Sequence, residues 1–290
     1  MRIIKLAIAI GIFYFVIYGN DLIYLGPNSK GYSEYQNKKD GLVLVEIPNG
    51  KFWMGSTGKE GVDAEHPQHE VYLECFYISK YELTNEQFDK FINATGYKTG
   101  AEKAGKSSWR FLYTKETIKH PATRISYNDA KAYCDWAGLR LPTEAEWEKA
   151  ARGIDKRKYP WGNEAPGAKG VARCNYADNN TNYRWSESNI NDGYKNTALV
   201  GTYEIGKSYY GCYDMAGNVW ELCADRYDEF YYMRSPKANP QGSELGITYV
   251  IRGGSWYTNA FDLRCTNRGK VAQGYQNNDV GFRPACSSQK

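Results

Sequence analysis

The chain has 290 residues, a formal net charge of +4, 24% charged and 42% hydrophobic residues, enough for one large domain or two small ones. The positive excess is mild and no run of Lys and Arg forms a stripe, which leaves nucleic-acid binding without support. The 26 Tyr are spread evenly, and no Pro/Ser linker or internal repeat divides the chain, so a single domain is expected.

Arg2 and Lys5 precede an apolar run over residues 6–18, broken only by Gly11. That is the length of a signal-peptide core and short for a membrane span. No Ala-x-Ala pattern follows and no Cys is placed for lipid attachment. Residues 1–19 therefore read as a signal peptide or an uncleaved anchor. Either way the body is expected to be exported: displayed at the cell surface, associated with the outer membrane or secreted, touching a membrane only through the N-terminus. Residues 20–40, rich in Gly, Ser, Asn and Lys, read as a flexible tether, and residues 41–290 as the domain. Seven Cys fit an oxidising compartment, with an odd one left over. No Cys-x-x-Cys pair occurs, which argues against zinc.

Residues 42–48 and 51–55 read as two strands of a hairpin around Asn49-Gly50, a strong turn signal. His66 and His69 flank Pro67, which argues against a helix presenting both to a metal. A strand follows over residues 70–73. Three helix starts are marked by capping boxes at Thr84, Ser126 and Thr143, with Gly96 and Gly138 as stops for the first two. From Tyr159 the helical period disappears, and about 40 residues rich in Asn, Asp and Gly follow. Such a segment cannot build a core alone, and calcium, which takes six to eight oxygen ligands, would suit it. Asp214 and Glu221 could share one ion; solvated loop carboxylates are the alternative.

The C-terminal part contains the stretch that reads least like ordinary structure. Residues 247–251 are β-branched and aromatic, as in a strand. Arg252-Gly253-Gly254-Ser255-Trp256 follows, then an aperiodic run to Asp279, then a short strand over residues 280–282. More than 20 residues without period, bracketed by glycine-marked strands, point to function rather than connection.

Together these motifs resemble the formylglycine-generating-enzyme-type, or sulfatase-modifying factor, family. The matching pieces are Ile47-Pro48-x-Gly50-x-Phe52-x-Met54-Gly55, Glu65-x-Pro67, Tyr81-Glu82-Leu83-Thr84-Asn85 and residues 139–148. Pro160-Trp161-Gly162, residues 214–221, Arg252-Gly253-Gly254-Ser255-Trp256 and Gly281-Phe282-Arg283 complete the set. The resemblance implies an α+β, C-type-lectin-like fold with much irregular structure. It also implies structural Ca2+ at two sites. One would use the side chains of Asn175 and Asp192 with the carbonyls of Tyr176 and Tyr194. The other would use Glu65, Asp214 and Glu221 with the carbonyls of Gly217 and Val219. A Cys134–Cys286 disulfide is a further implication, with Cys265 unpaired and buried.

The resemblance breaks at the catalytic step. The enzymes of the family hold copper with two Cys just after the Arg-Gly-Gly-Ser motif, and residues 252–264 here contain none. The variable proteins of diversity-generating retroelements, including a treponemal one, resemble this chain more closely. They carry a C-terminal variable segment derived from adenine-rich codons. An AAC codon can become Tyr, Thr, Phe, Asp, Gly, Val or Ala, the residue types at 257, 258, 261, 262, 269, 271, 272, 274 and 275. Lys270, Gln273 and Gln276 do not fit that origin. The expectation is therefore a non-catalytic, surface-displayed monomer with a variable ligand-binding segment at 252–283. Tyr257, Phe261 and Tyr275 would be anchors. Thr258, Asn259 and Asp262 would add hydrogen bonds, and Gly269, Val271, Ala272 and Gly274 would complete the surface. Its partner would be a protein or glycan on another cell surface. A family member with lost or altered catalysis, or a structural envelope accessory protein, is the alternative.

Overall fold

The computed structural model describes residues 22–288; the expected signal peptide or anchor lies outside them. The tether expected over residues 20–40 is corrected at once. β1 (Leu22–Pro27) and β2 (Ser33–Asn37) form an antiparallel hairpin. Asn28 holds its turn: Oδ1 accepts from the amides of Lys30 and Tyr32, and Nδ2 donates to the Tyr210 carbonyl. Leu22 and Tyr35 reach the main core. Two well-spaced apolar side chains suffice to dock an edge hairpin whose composition is otherwise polar.

β3 (Val43–Ile47) pairs with β2, but the expected hairpin across Asn49-Gly50 does not form. Gly50, at φ +138°, lets the chain leave this sheet. β4 (Gly50–Met54) then pairs with β5 (His69–Leu73) as a separate two-stranded unit. β6 (Phe76–Ser79), buried along its whole length, returns beside β3.

α1 (Asn85–Thr95), α3 (Tyr127–Ala137) and α4 (Glu144–Arg152) start at the expected boxes. Thr84, Ser126 and Thr143 each accept from the third helical amide, and Gln87, Asp129 and Glu146 reach back to the cap amide. Gly96 and Gly138 end α1 and α3 in the left-handed region. A one-turn α2 (Gly100–Lys103) lies between α1 and α3. Phe88, Phe91 and Ile92 of α1 pack with Ala130, Tyr133 and Cys134 of α3 in one cluster. Helix α4 is buried on every side, and Trp147, Ala150 and Ala151 belong to a second cluster with β3–β6.

Residues 153–219 contain only short 3-10 turns, as their composition indicates. A second sheet follows: β7 (Trp220–Arg226), β8 (Thr248–Arg252), β9 (Gly269–Ala272) and β10 (Val280–Gly281) in the order β10-β7-β8-β9. β10 runs parallel to β7, and the other pairs are antiparallel. β11 (Ala285–Ser287) closes the first sheet, whose order is β1-β2-β3-β6-β11. The α+β, C-type-lectin-like class is therefore as expected. Cys134 and Cys286, the pair expected to be bridged, lie within one buried cluster, and the Cys286 sulfur faces the Ser287 carbonyl of its own strand.

Candidate functional site

The Arg-Gly-Gly-Ser-Trp turn is clamped by buried arginines, each bonded to carboxylates from elsewhere in the chain. Arg252 donates to Glu148 of α4 (2.6 Å) and to the Cys265 carbonyl (2.7 Å). Arg264 makes a two-pronged pair with Glu65 (2.7 and 2.8 Å), and Arg268 does the same with Glu144 of α4 (2.7 and 2.8 Å). Arg283 grips Glu221 of β7, which also accepts from the Trp147 indole at 2.7 Å. All four arginines and their acids are buried. Charges so placed are expensive unless paired in a matched geometry, so they select one backbone path for the loop. Gly253 and Gly254 both have positive φ, and a Cβ at Gly254 would come within 2.9 Å of Leu263 and Thr258. Ser255, Trp256 and Leu263 are buried as well and complete the frame.

On this frame Tyr257, Phe261 and Tyr275 are exposed, by 39%, 49% and 42%. Phe261 lies under the Arg264 guanidinium, 4.1 Å from ring centre to carbon. Tyr257 meets two residues that the sequence did not single out. Tyr183 and Trp185, from the Asn-rich loop, stack on each other and abut Tyr257 edge-on at 4.6 and 5.2 Å. The Trp185 indole donates to the Tyr257 carbonyl. Trp256 lies beside Tyr257, so one aromatic patch joins two segments 72 residues apart. The only available signal was the pair of aromatics inside a polar run.

Other expected contact residues do less. The Thr258 hydroxyl accepts from the Ser255 amide and donates to the Ser255 carbonyl. Asn259 caps the Phe261 amide, and Asp262 accepts from Asn267. These polar groups are largely spent on the loop itself. Val271 is a correction: it points from β9 into the main cluster. Gly269 is half-buried in the same strand, and a Cβ there would come within 2.7 Å of Ile251. The run from 257 to 279 is thus not free of period, because β8 recruits part of it. Ala272 ends β9, exposed, and Gly274 and Tyr275 follow it on the turn. There Gln273 and Gln276 reach Asn128 and Asp129 at the start of α3.

Of the first expected calcium set, Asp192 lies against the backbone of Tyr176 and Tyr194. Asp192 accepts from the amides of Tyr176 and Tyr194, at 2.9 and 2.8 Å. The Asn175 side-chain oxygen is buried with no partner. Burial pushes the Asp192 carboxyl up to about 7, against the two backbone amides that would lower it. A buried carboxylate, an orphaned amide oxygen and nearby loop carbonyls are a donor set that suits calcium. The second set does not assemble as expected, because both Glu65 oxygens are committed to Arg264. Its place near Asp214 and Glu221 is taken by Glu82, which accepts from the Asn218 side chain and the Val219 amide. Burial and the neighbouring Asp214 and Glu221 push Glu82 well up, and burial raises Asp214 to about 6. Both Glu221 oxygens are taken by Arg283. Among the described residues no three His, Cys, Asp or Glu side chains form a ready metal cage. Cys265 is fully buried, and burial holds its thiol near 12, so at neutral pH it is an apolar side chain.

Three sheets, three main helices packed among them and a long irregular insertion that props a C-terminal loop define a C-type-lectin-like protein of the formylglycine-generating-enzyme type. The chain belongs to the family of sulfatase-modifying factor enzyme 1-like domains, whose model matches residues 30–287. The formylglycine-generating enzyme of Streptomyces coelicolor is 37% identical over 83% of this chain and 88% of its own length. The inactive C-alpha-formylglycine-generating enzyme 2 of Mus musculus is 30% identical over 85% of this chain and 86% of its own. Among solved structures, PvdO from Pseudomonas aeruginosa superposes with a TM-score of 0.72 at 28% identity, covering 88% of this chain and 97% of that one. Treponema denticola variable protein 1 superposes at 0.66 with 21% identity, covering 88% and 99%. Its likeness establishes a common fold. The family thus includes both active and inactive proteins.

Proposed function

We propose that the protein is a non-catalytic ligand-binding member of this family, exported and displayed at the cell surface as a monomer. Its binding loop would be of the kind that a diversity-generating retroelement varies. The observation that carries this reading is an aromatic patch of Tyr183, Trp185 and Tyr257, with Phe261 exposed on the same loop as Tyr257, and that loop is immobilised by buried Arg–carboxylate pairs. Rigid aromatics give contact area at little entropic cost, and an over-determined frame tolerates change at the positions it exposes. The partner would be a protein or glycan on another cell surface. A catalytic reading draws on the identity with formylglycine-generating enzymes, but the paired thiolates that would hold copper are absent from residues 252–264.

Sequencing the segment for residues 252–283 from many cells of one culture tests the retroelement part. Substitutions derived from adenines should gather at 257, 259, 261, 262, 272, 274 and 275, and spare Trp256, Leu263, Arg264 and Arg268. A uniform segment, with no near-repeat and no reverse transcriptase gene beside it, would refute that part.

Calcium is the proposed structural cofactor, held by Asn175 and Asp192 with the carbonyls of Tyr176 and Tyr194. Chelation should lower the melting temperature by several degrees, through loss of a ligand of the folded state. Asp192→Ala should remove that response. Because Asp192 binds only as a carboxylate and its carboxyl sits near 7, calcium affinity should fall as the pH drops through neutrality. Calorimetric scans with and without chelator at two pH values read all three effects; a chelator-insensitive wild type contradicts the assignment.

A further inference from the structure

Positive charge gathers in the stretch between α1 and α3. Residues 98–124 contain seven Lys or Arg against two Glu. Glu102 is already paired with Arg110, and Glu116 accepts from the Thr114 hydroxyl. Such an excess on one segment draws anions towards it. Two cavities open against this stretch, and the end of the binding segment lines both. The first, of about 360 Å³, is lined by Thr117, His120 and Thr123, by Tyr194 and Lys195 of the irregular insertion, and by Asn278. The second, of about 280 Å³, is lined by Lys103, Lys106 and Ser126 with Gly274 and Gln276. The Arg124 amide donates to the Asn277 carbonyl at 2.9 Å, so the two cavities flank one backbone hydrogen bond. Their volumes suit a small unit such as a sugar ring rather than a folded partner.

The first cavity is built of groups that both give and take hydrogen bonds. Its wall includes three Asn and three Thr, whose amides and hydroxyls match the paired hydroxyls of a sugar. Asn85, at the start of α1, donates to the Thr117 carbonyl. Its Oδ1 is buried with no partner, an acceptor that a sugar hydroxyl would satisfy. His120 shares a hydrogen bond with the Thr197 hydroxyl through Nδ1 at 3.0 Å, which leaves Nε2 for a ligand. Leu112, Pro121 and Tyr194 supply the apolar side that the C–H face of a sugar needs. Charge decides which sugar. Lys195 is exposed, and among the described residues no Asp or Glu lines this cavity. Asp192 and Asp279, next to lining residues in the chain, are buried. Asp192 holds the amides of Tyr176 and Tyr194, and Asp279 the Ser255 hydroxyl. In the second cavity the one acid is Asp129, against Lys103 and Lys106, and its oxygens already accept from Tyr97, Gly100, Ser126 and Gln276.

We propose that the two cavities hold units of an acidic polysaccharide, a chain of hexuronates. One ring occupies the first cavity with its carboxylate at Lys195, and a carboxylate further along the chain meets Lys103 and Lys106. The site borders the proposed binding loop at Asn278 and Gln276 but uses none of its aromatics, so it stands or falls apart from the patch. An acidic peptide would also meet the lysines, but it would leave the amides and hydroxyls of the first cavity without their match.

The test is a set of ligand-observed NMR titrations of the full chain with galactose, galacturonate, tetragalacturonate and a tetraglutamate peptide. Tetragalacturonate should bind at least about tenfold more tightly than galacturonate, because it reaches both cavities. Galactose should bind about fivefold more weakly than galacturonate, the worth of one exposed charge pair. Lys195→Ala should remove that preference. Lys106→Ala should weaken tetragalacturonate about threefold and leave galacturonate unchanged. Both lysines are exposed, and an unchanged melting temperature would show that the variants fold. A Tyr257→Ala/Phe261→Ala variant should bind every sugar as the wild type does, which separates this site from the aromatic patch. No binding of tetragalacturonate overturns the proposal. So does equal affinity for galacturonate and its tetramer, or a tetraglutamate peptide bound as tightly as the tetramer, since charge alone would then explain the contact.

Discussion

Arg264→Ala should cost on the order of 3–5 kcal/mol of stability, because it strands the buried Glu65 carboxylate. In the intact protein burial alone would raise that carboxyl, but the Arg264 fork and the Ser56 and Thr266 hydroxyls outweigh it and hold it at about 2. A carboxyl whose folded value lies below its unfolded value of 4.5 stabilises the fold fully above that value. The contribution is then lost as the pH falls from about 4.5 towards 2. Without Arg264, burial dominates and the carboxyl moves up, so the variant is relieved by protonation. The gap between wild type and variant should therefore be wide at neutral pH and narrow on acidification. Urea titrations at pH values spanning that window read it directly, and a pH-independent gap would mean that lost packing, not a stranded charge, sets the cost. Arg264 also donates to the Phe261 carbonyl and covers its ring, so the same substitution should loosen the binding loop.

The second large effect separates frame from surface. Trp256 is 5% exposed, with its indole bonded to the Asn278 carbonyl. Trp256→Ala should cost about 3–5 kcal/mol through cavity formation and the lost bond. Replacing Tyr257, Phe261 and Tyr275 together by Ala should cost far less, about 0.5 kcal/mol apiece, with Tyr257 the largest share because it touches Tyr183 and Trp185. Binding should behave in the opposite way, since central aromatics commonly cost about 2 kcal/mol or more each. Denaturant titrations on the two variants need no knowledge of the ligand. A triple variant less stable than Trp256→Ala would show that this stretch is scaffold.

The sequence by itself determined the parts governed by local chemistry. Capping boxes and glycine stops placed α1, α3 and α4, since a cap acts within one turn. The Arg-Gly-Gly-Ser-Trp motif marked the loop, and the residue types open to an AAC codon pointed to Tyr257, Phe261 and Tyr275, which are exposed. What only the tertiary structure decided depends on partners distant in the chain. Leu22 and Tyr35 turn an apparent tether into two strands because a sheet edge is there to receive them. Gly50 is a crossing between sheets rather than a hairpin turn because β5 competes successfully for β4. Glu65 pairs with Arg264 across 199 residues, so a carboxylate expected to bind an ion meets a guanidinium first. Val271 is drawn inward by β8. Tyr183 and Trp185 reach the binding loop only because the irregular insertion folds back over it. Each of these outcomes rests on which buried group finds its complement in space, and that pairing has no local signature.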